Sequence, residues 1–404
     1  MATYVQEYSA RSTADEAHDF KYVDWAPAEP DDAKSSDESE RELRRLERKV
    51  MVKYKAFGFS WDVFLHWVLM VTLYVVIVRA ALMGHLAYWK AVFCIWPVFH
   101  HFYMSLHECV HNNLAGCPKS GKTPWINSIV QDIVAHTSCC ALSFGYREHW
   151  REHMAHHKFT NFEGKDPNAL LLSGTLMTRL ASHLGILTAC LLLTFRPARM
   201  TGIEILKGDA GFHFTLDGKL TKLGEINMGL LLAIGFNMKL QAAVAVLTFR
   251  WREVLFFWFL PQRIAFLTVD IVFGWLPHHP HADVGRYKDT RITLIGNWEP
   301  LRSILSYCVF CGHDYHLIHH LYPRVPWTRL KLLYHEMEPM LRKRGVRIEG
   351  GDGRPPVLMW APRGKRPPVC GRFSDGFKKR KTFEEPLLEE DVMVKGSLQW
   401  MRDD

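Results

Sequence analysis

Three things are missing from this chain of 404 residues, and each absence removes a class of function. There is no basic start followed by an apolar core, so no cleaved signal peptide is expected, and the first residues carry too many Asp and Glu for an organelle transit peptide. Membrane insertion would then rest on the first spanning helix. The nine Cys form no thiolate framework: Cys94 and Cys190 lie inside apolar stretches, and Cys139 and Cys140 are adjacent. Reduced, packed cysteines are expected, rather than a thiolate zinc or an iron–sulfur site. No basic groove with regular aromatic interleaving is found either. The formal net charge is +8, but the basic residues gather beside apolar segments. That distribution fits membrane topology and an anionic lipid surface, and it excludes nucleic acid as the expected partner.

What the chain does have is a very apolar middle between polar ends. The mean hydropathy of -0.09 averages the two and looks soluble. Apolar runs of about 20 residues, the length that crosses a bilayer, nevertheless recur. Four are read as spans: Trp61 to Met83, Ala87 to Leu106, Met228 to Phe249 and Val254 to Leu276. The expected fold is therefore an all-α integral membrane protein with four transmembrane helices and a helical cap on one side. Residues 1–56 comprise an acidic segment without periodicity and a basic juxtamembrane helix over about 39–56. Residues 57–348 form the membrane domain, and 349–404 a charged tail expected to be mostly disordered.

Arg44, Arg45, Arg48 and Lys49 precede the first span and mark that side, with both termini, as cytoplasmic. Arg250-Trp251-Arg252, between the last two spans, then falls on the opposite side, against the statistical tendency. Ile126 to Gly145 is moderately apolar. Leu170 to Phe195 is apolar but broken by Arg179 and His183, and parity favours an interfacial position over a span. A polar loop is expected over 205–225, with a hairpin signal at Asp217-Gly218.

Beside these segments stand clusters of histidine. His316, His319 and His320 fall at i, i+3 and i+4, on one face of a helix, and His153, His156 and His157 repeat the spacing. His107 and His111 form a shorter i, i+4 pair. One such pair is weak evidence; two repeats and a pair, each at a helix exit, point to metal. Eight imidazoles exceed what one ion accepts. All-nitrogen ligation suits zinc, copper, nickel or iron, but a zinc site closes with four ligands or works with three plus water. Two metals sharing the set is the natural reading, and an iron pair with open positions can bind and reduce dioxygen. His149 and His313 flank the second and third clusters as further ligand or supporting candidates. Isolated histidines (His66, His85, His100, His136, His183) read as satisfied core residues.

The boxes His107-Glu108-Cys109-Val110-His111, His153-Met154-Ala155-His156-His157 and His316-Leu317-Ile318-His319-His320 resemble those of the membrane fatty-acid desaturase and hydroxylase superfamily. The wording is similar to one branch of it, the cyanobacterial- and bacterial-type β-carotene hydroxylases. The strings that carry this are Trp275-Leu276-Pro277-His278, Arg286-Tyr287 and Asp314-Tyr315-His316 through Pro326-Trp327. Lys158-Phe159-Thr160-Asn161, with Asp166-Pro167 after it, resembles the segment that succeeds the second box in acyl desaturases. The resemblance covers about residues 55–345.

It implies a di-iron centre in a cytoplasmic cap, O2 as co-substrate, and a ligand outside the boxes near the end of the last span. His278 stands there, while His279 and His281 depart from the pattern and leave open which imidazole serves. The implied ligands are His107, His111, His153, His156, His157, His278, His316, His319 and His320. Glu108, Asn161, Asp166 and Asp314 are candidate supports for imidazole N–H groups. The implied activity is O2-dependent desaturation or hydroxylation of a long apolar lipid, a fatty acyl lipid first and a carotenoid ring as the alternative. The implied location is the endoplasmic reticulum in a eukaryotic cell. No His-Pro-Gly-Gly haem motif is present, so electrons are expected from a separate donor, cytochrome b5 or a ferredoxin. A histidine-rich zinc-binding or transport protein is the other class to weigh. Transporters hold ions at the bilayer midplane within broken helices, whereas these boxes lie at helix exits.

Overall fold

The computed structural model describes residues 38–117, 122–162, 165–168, 183, 222–279, 284–294 and 299–350. Helix α1, Glu38–Tyr54, is the basic helix foreseen before the first span. It is not simply a solvated face. Glu47 is buried and accepts hydrogen bonds from Tyr287, Tyr322 and Arg344, which pins α1 to the histidine-bearing end of the chain.

Helix α2, Trp61–Leu82, is apolar on all sides and mostly unburied within the protein, as a lipid-facing span must be. Gly84 (φ 77) turns the chain into α3, Tyr88–Val110. From Val98 onward every residue of α3 is buried, because its neighbours in the bundle, α2 among them, enclose it. Its end is tied down by Asn113, whose amide donates to Glu108 (2.9 Å) and to the Pro323 carbonyl (3.0 Å). Helix α4, Trp125–Leu142, packs along α3 and leaves Trp125, Ile126, Ile129 and Ile133 exposed. Ser143 (φ 64) then reverses the chain into α5, Tyr146–Phe159.

Helix α6, Lys222–Thr248, begins where a loop to residue 225 was expected. The stretch 170–195, except His183, and the turn at Asp217-Gly218 lie outside the described residues. A tight turn at Phe249 leads into α7, the continuous run Trp251–His278, interrupted by two π-helical segments, Leu255–Phe259 and Asp270–Trp275.

Among the described residues, three helices are long and apolar enough to cross a membrane: α2, the Leu231–Thr248 part of α6, and α7. The fourth expected span, α3, has the length but not the apolarity, since His100, His101, His107 and Glu108 interrupt it. These polar groups are tolerable because they are buried within the bundle and not turned to lipid.

The all-α expectation misses one short pairing. Strands β1, Ile292–Thr293, and β2, Ile348–Glu349, run parallel, with Ile292 opposite Ile348 and Thr293 opposite Glu349. Beside them Arg291 donates to both carboxylate oxygens of Glu349 at 2.8 Å and to the Leu276 carbonyl at the end of α7. Helix α8, Glu299–Leu305, runs through a π turn, Ser306–Phe310, and a 3-10 turn, His313–Tyr315, into α9, His316–Leu321. Gly312 (φ 75) makes that passage: a Cβ there would sit 2.7 Å from the Trp327 carbonyl oxygen. Helix α10, Trp327–Lys343, packs over α9.

Candidate metal centre

Nine imidazoles meet at the ends of α3, α5, α7 and α9, in two adjoining groups. His107, His111, His153, His157 and His319 form the first, and His156, His278, His316 and His320 the second; within each, the potential ligand atoms all lie within 4.8 Å of one another. All nine positions expected as ligands are in one group or the other.

The split follows from helix geometry. At about 100° per residue, i and i+4 lie about 40° apart, while i+3 lies about 60° to the other side. His153 and His157 therefore share the first group while His156 turns to the second. On α9 the same rule sends His316 and His320 to the second group and His319 to the first. Neither box belongs to one group, and this pattern was not foreseen.

The nitrogens that converge are all Nε2. In the first group His107 and His319 are 3.1 Å apart, His111 and His153 2.9 Å, His153 and His157 3.0 Å, and His157 and His319 3.0 Å. In the second, His278 lies 3.3 Å from His156 and 2.9 Å from His316, which is 3.0 Å from His320. Hydrogen bonding explains this poorly, because each Nε2 can donate one proton or offer one lone pair, not serve two neighbours equally. A common cation explains it well. Nitrogens about 2.0–2.1 Å from one ion stand about 2.9 Å apart at right angles and about 3.3 Å apart in a tetrahedron. The rings fit a pair of metal ions.

Burial works against protonation of these rings. It pushes His153, His157, His316, His319 and His320 well below the ordinary histidine pKa, and charge on neighbouring rings adds to the effect. His111 falls to about 3 for the same leading reason. At His156 burial also opposes the cation, but Asp166 outweighs it and the pKa rises.

Asp166 is the one of the four expected supports that accepts a hydrogen bond from a ligand ring, from His156 Nδ1–H at 2.9 Å, among the described residues. Backbone N–H groups of Asn161 and Asn168 hold its oxygens in turn (2.8 and 2.9 Å). Glu108 stays 3.5 Å from His107 Nδ1, Asp314 takes the Ser306 hydroxyl instead, and the Asn161 amide donates to the Asp289 carbonyl. Thr160 was missed. Its hydroxyl lies 3.3 Å from His320 Nδ1 and donates to the His156 carbonyl (2.7 Å), so it can hold one ring while bonded to the helix that carries another. The sequence signal was a Thr one turn beyond the second box.

The remaining candidates fall outside both groups. His149 Nδ1 is 3.0 Å from Glu152, His313 Nδ1 faces the Cys311 carbonyl at 3.3 Å, and His279 is exposed beside Trp275. His281 lies outside the described residues. Of the isolated histidines, His66 pairs with His101 and His100 reaches Thr268 and the Val309 carbonyl, as buried residues should; His85 and His136 are exposed and not core. Cys308 and Cys311 stand at Cys-x-x-Cys spacing. Cys308 is exposed and Cys311 buried, and neither joins a metal-ligand group among the described residues.

A cleft open to its surroundings borders the two groups. Most of its exposed wall is apolar (Tyr103, Phe144, Phe266, Val269, Phe273), while the ligand histidines His107, His153, His156 and His316, together with His149, Glu152, Asn168, Asp270 and His313, supply its polar groups. Apolar walls around a few polar groups are the usual make-up of a small-molecule site.

Two relatives share sequence with part of the chain. A beta-carotene ketolase of Paracoccus sp. (strain PC1) is 40% identical over 99 residues, covering 24% of this chain and 35% of that protein. A beta-carotene ketolase of Paracoccus sp. (strain N81106 / MBIC 01143) is 37% identical over 81 residues, covering 20% and 31%. The matched stretches thus span about a third of each curated relative. The broader match is to the family model described as fatty acid desaturase, which aligns with residues 84–350 and takes in the last two spans and every one of the nine converging histidines, so this chain belongs to the fatty acid desaturase family.

Proposed function

We propose that the protein is a membrane-bound, non-haem di-iron oxidoreductase that uses O2 to desaturate or hydroxylate a long apolar lipid. The observation that carries this is the pair of Nε2 clusters, five imidazoles beside four, bordered by a largely apolar cleft. His107, His111, His153, His157 and His319 would hold one iron, and His156, His278, His316 and His320 the other. When bound, the irons supply the activation of O2 needed to attack an unactivated C–H bond. The chain's own residues do the rest. Asp166 and Thr160 orient His156 and His320 through their Nδ1 atoms. Tyr103, Phe144, Phe266 and Phe273 line the path of an apolar chain and exclude water from it.

The family supports a fatty acyl lipid as the substrate. The two ketolase relatives favour a second reading, a carotenoid ring. Electrons come from a separate donor, cytochrome b5 or a ferredoxin. The histidine groups and both termini face the cytoplasm, in the endoplasmic reticulum of a eukaryotic cell, with residues 57–348 as the catalytic membrane domain. Zinc storage or transport is disfavoured because a five-imidazole group exceeds both the closed and the open zinc arrangements.

Metal analysis and lipid mass spectrometry under ¹⁸O₂ test the proposal together. Purified protein should carry about two irons per chain. Cells expressing it should gain a lipid either heavier by one labelled oxygen or lighter by two hydrogens, and His319→Ala should abolish the product. An iron-free preparation with full activity would sink the reading.

A further inference from the structure

Two histidines beside the metal groups, His149 and His313, have no metal to hold and a buried Nε2 with no hydrogen-bond partner among the described residues. Of the two, only His149 has its other edge fixed by a carboxylate. His149 is 3% exposed, and its buried Nε2 has no hydrogen-bond partner among the described residues. The other edge is fixed: Nδ1–H donates to Glu152 Oε2 at 3.0 Å, itself buried. A carboxylate only accepts, so Nδ1 carries a proton, and in the neutral ring Nε2 presents a lone pair. Phe144 stacks on the ring at 4.8 Å and 15°, so the orientation is held from the face as well as from the edge. His149 and Glu152 both line the cleft that borders the two histidine groups.

A buried acceptor left unpaired is costly, and proteins keep such groups where a ligand completes them. In a cleft with apolar walls the matching group is a hydroxyl. A saturated hydrocarbon has nothing to donate, and a carboxylate would oppose Glu152. We infer that His149 recognises a lipid alcohol, accepting a hydrogen bond at Nε2 from a hydroxyl carried by the chain in the cleft. The inference rests on the cleft being the lipid site. Glu152 is the positioning residue that keeps the acceptor edge inward. The alcohol has two possible sources, a hydroxyl already present when the lipid enters or one installed there by a first oxidation.

The test uses the full-length chain in nanodiscs, loaded with equal amounts of a lipid and its mono-alcohol. Two probe pairs serve: β-carotene with its ring-hydroxylated form, and stearoyl with 12-hydroxystearoyl phosphatidylcholine. Mass spectrometry reads what is retained, and iron is measured on the same samples. Wild type should retain the alcohol of at least one pair about three- to tenfold over its partner, the range of one net hydrogen bond. His149→Phe, which keeps an aromatic ring against Phe144, should erase that preference with iron unchanged. His149→Gln, which returns a polar atom near the Nε2 position, should restore part of it.

No preference in wild type, or one that survives in His149→Phe, overturns the inference. So does loss of iron in both variants, which would make His149 a ligand. Turnover of the unoxygenated lipid under ¹⁸O₂, with reduced ferredoxin or cytochrome b5 added to supply the two electrons, separates the sources: a retained alcohol with the label was made in the cleft, and one without it arrived that way. Alcohol preference in a wild-type protein that carries no iron would defeat the proposed function and leave this inference standing.

Discussion

A metal-binding imidazole is only as good as the group that holds its far edge. His156 has Asp166 behind it, and Asp166 is held by two backbone N–H groups, so the carboxylate is fixed before any ion arrives. Asp166→Asn keeps the shape but removes the charge that makes the ring a stronger base. It should weaken iron binding in the second group about 10- to 100-fold, the usual cost of losing such a partner. The first group should be spared. Chelator competition on the purified protein reads this as one iron released early and one late; simultaneous release would contradict it. Asp166 was visible in the sequence through the Asp-Pro that comes after the second box. Glu108 and Asp314 looked equally good there, and only the fold turns them away, towards Asn113 and Ser306. A carboxylate's neighbours in space cannot be read from its neighbours in the chain.

At the scale of the element, the helices were legible wherever one periodicity ran without interruption. α2 and α7 are apolar over more than the span length, and the i, i+3, i+4 boxes do lie on helices. The π segments were not legible, because a π turn leaves no compositional mark and arises when tertiary packing absorbs one extra residue. Asp270–Trp275 ends three residues before His278, so it sets which way that ring faces. Inserting one alanine between Trp275 and Leu276, past the π segment, should rotate His278 by about 100° out of the second group. The expected result is about one iron per chain in a protein that still inserts into membranes, matching His278→Ala. Two irons in the insertion variant would show that the helix phase at the end of α7 does not position the ligand. The split of each box between two groups was likewise hidden. The spacing shows which residues share a face, but not that two ions would divide that face.

For the molecule as a whole, the least expected feature is the contact that closes it. Residue 349 falls just past the membrane domain as drawn from the sequence, yet Glu349 is buried and bidentate with Arg291, which also binds a carbonyl at the end of α7. No local pattern announces a parallel pair of two-residue strands so far apart in the chain. Glu349→Ala leaves the Arg291 guanidinium buried without its carboxylate and should cost about 3–5 kcal/mol. Replacing both partners by apolar residues, Arg291→Met with Glu349→Leu, should recover most of it. Thermal unfolding in detergent decides the matter; equal melting of wild type and Glu349→Ala would make the pair incidental.

The shared ownership of the boxes carries a further consequence, in terms of chain topology. Once loaded, the first ion would act as a crosslink between His107 and His319, closing a loop of roughly two hundred residues, and such closure restricts the unfolded chain. The second ion would fasten α5 to α9 again through His156, His316 and His320. The two helices would thus be stapled twice by independent rivets. Stripping one ion would leave their docking intact, and only removal of the second would let the cap come apart.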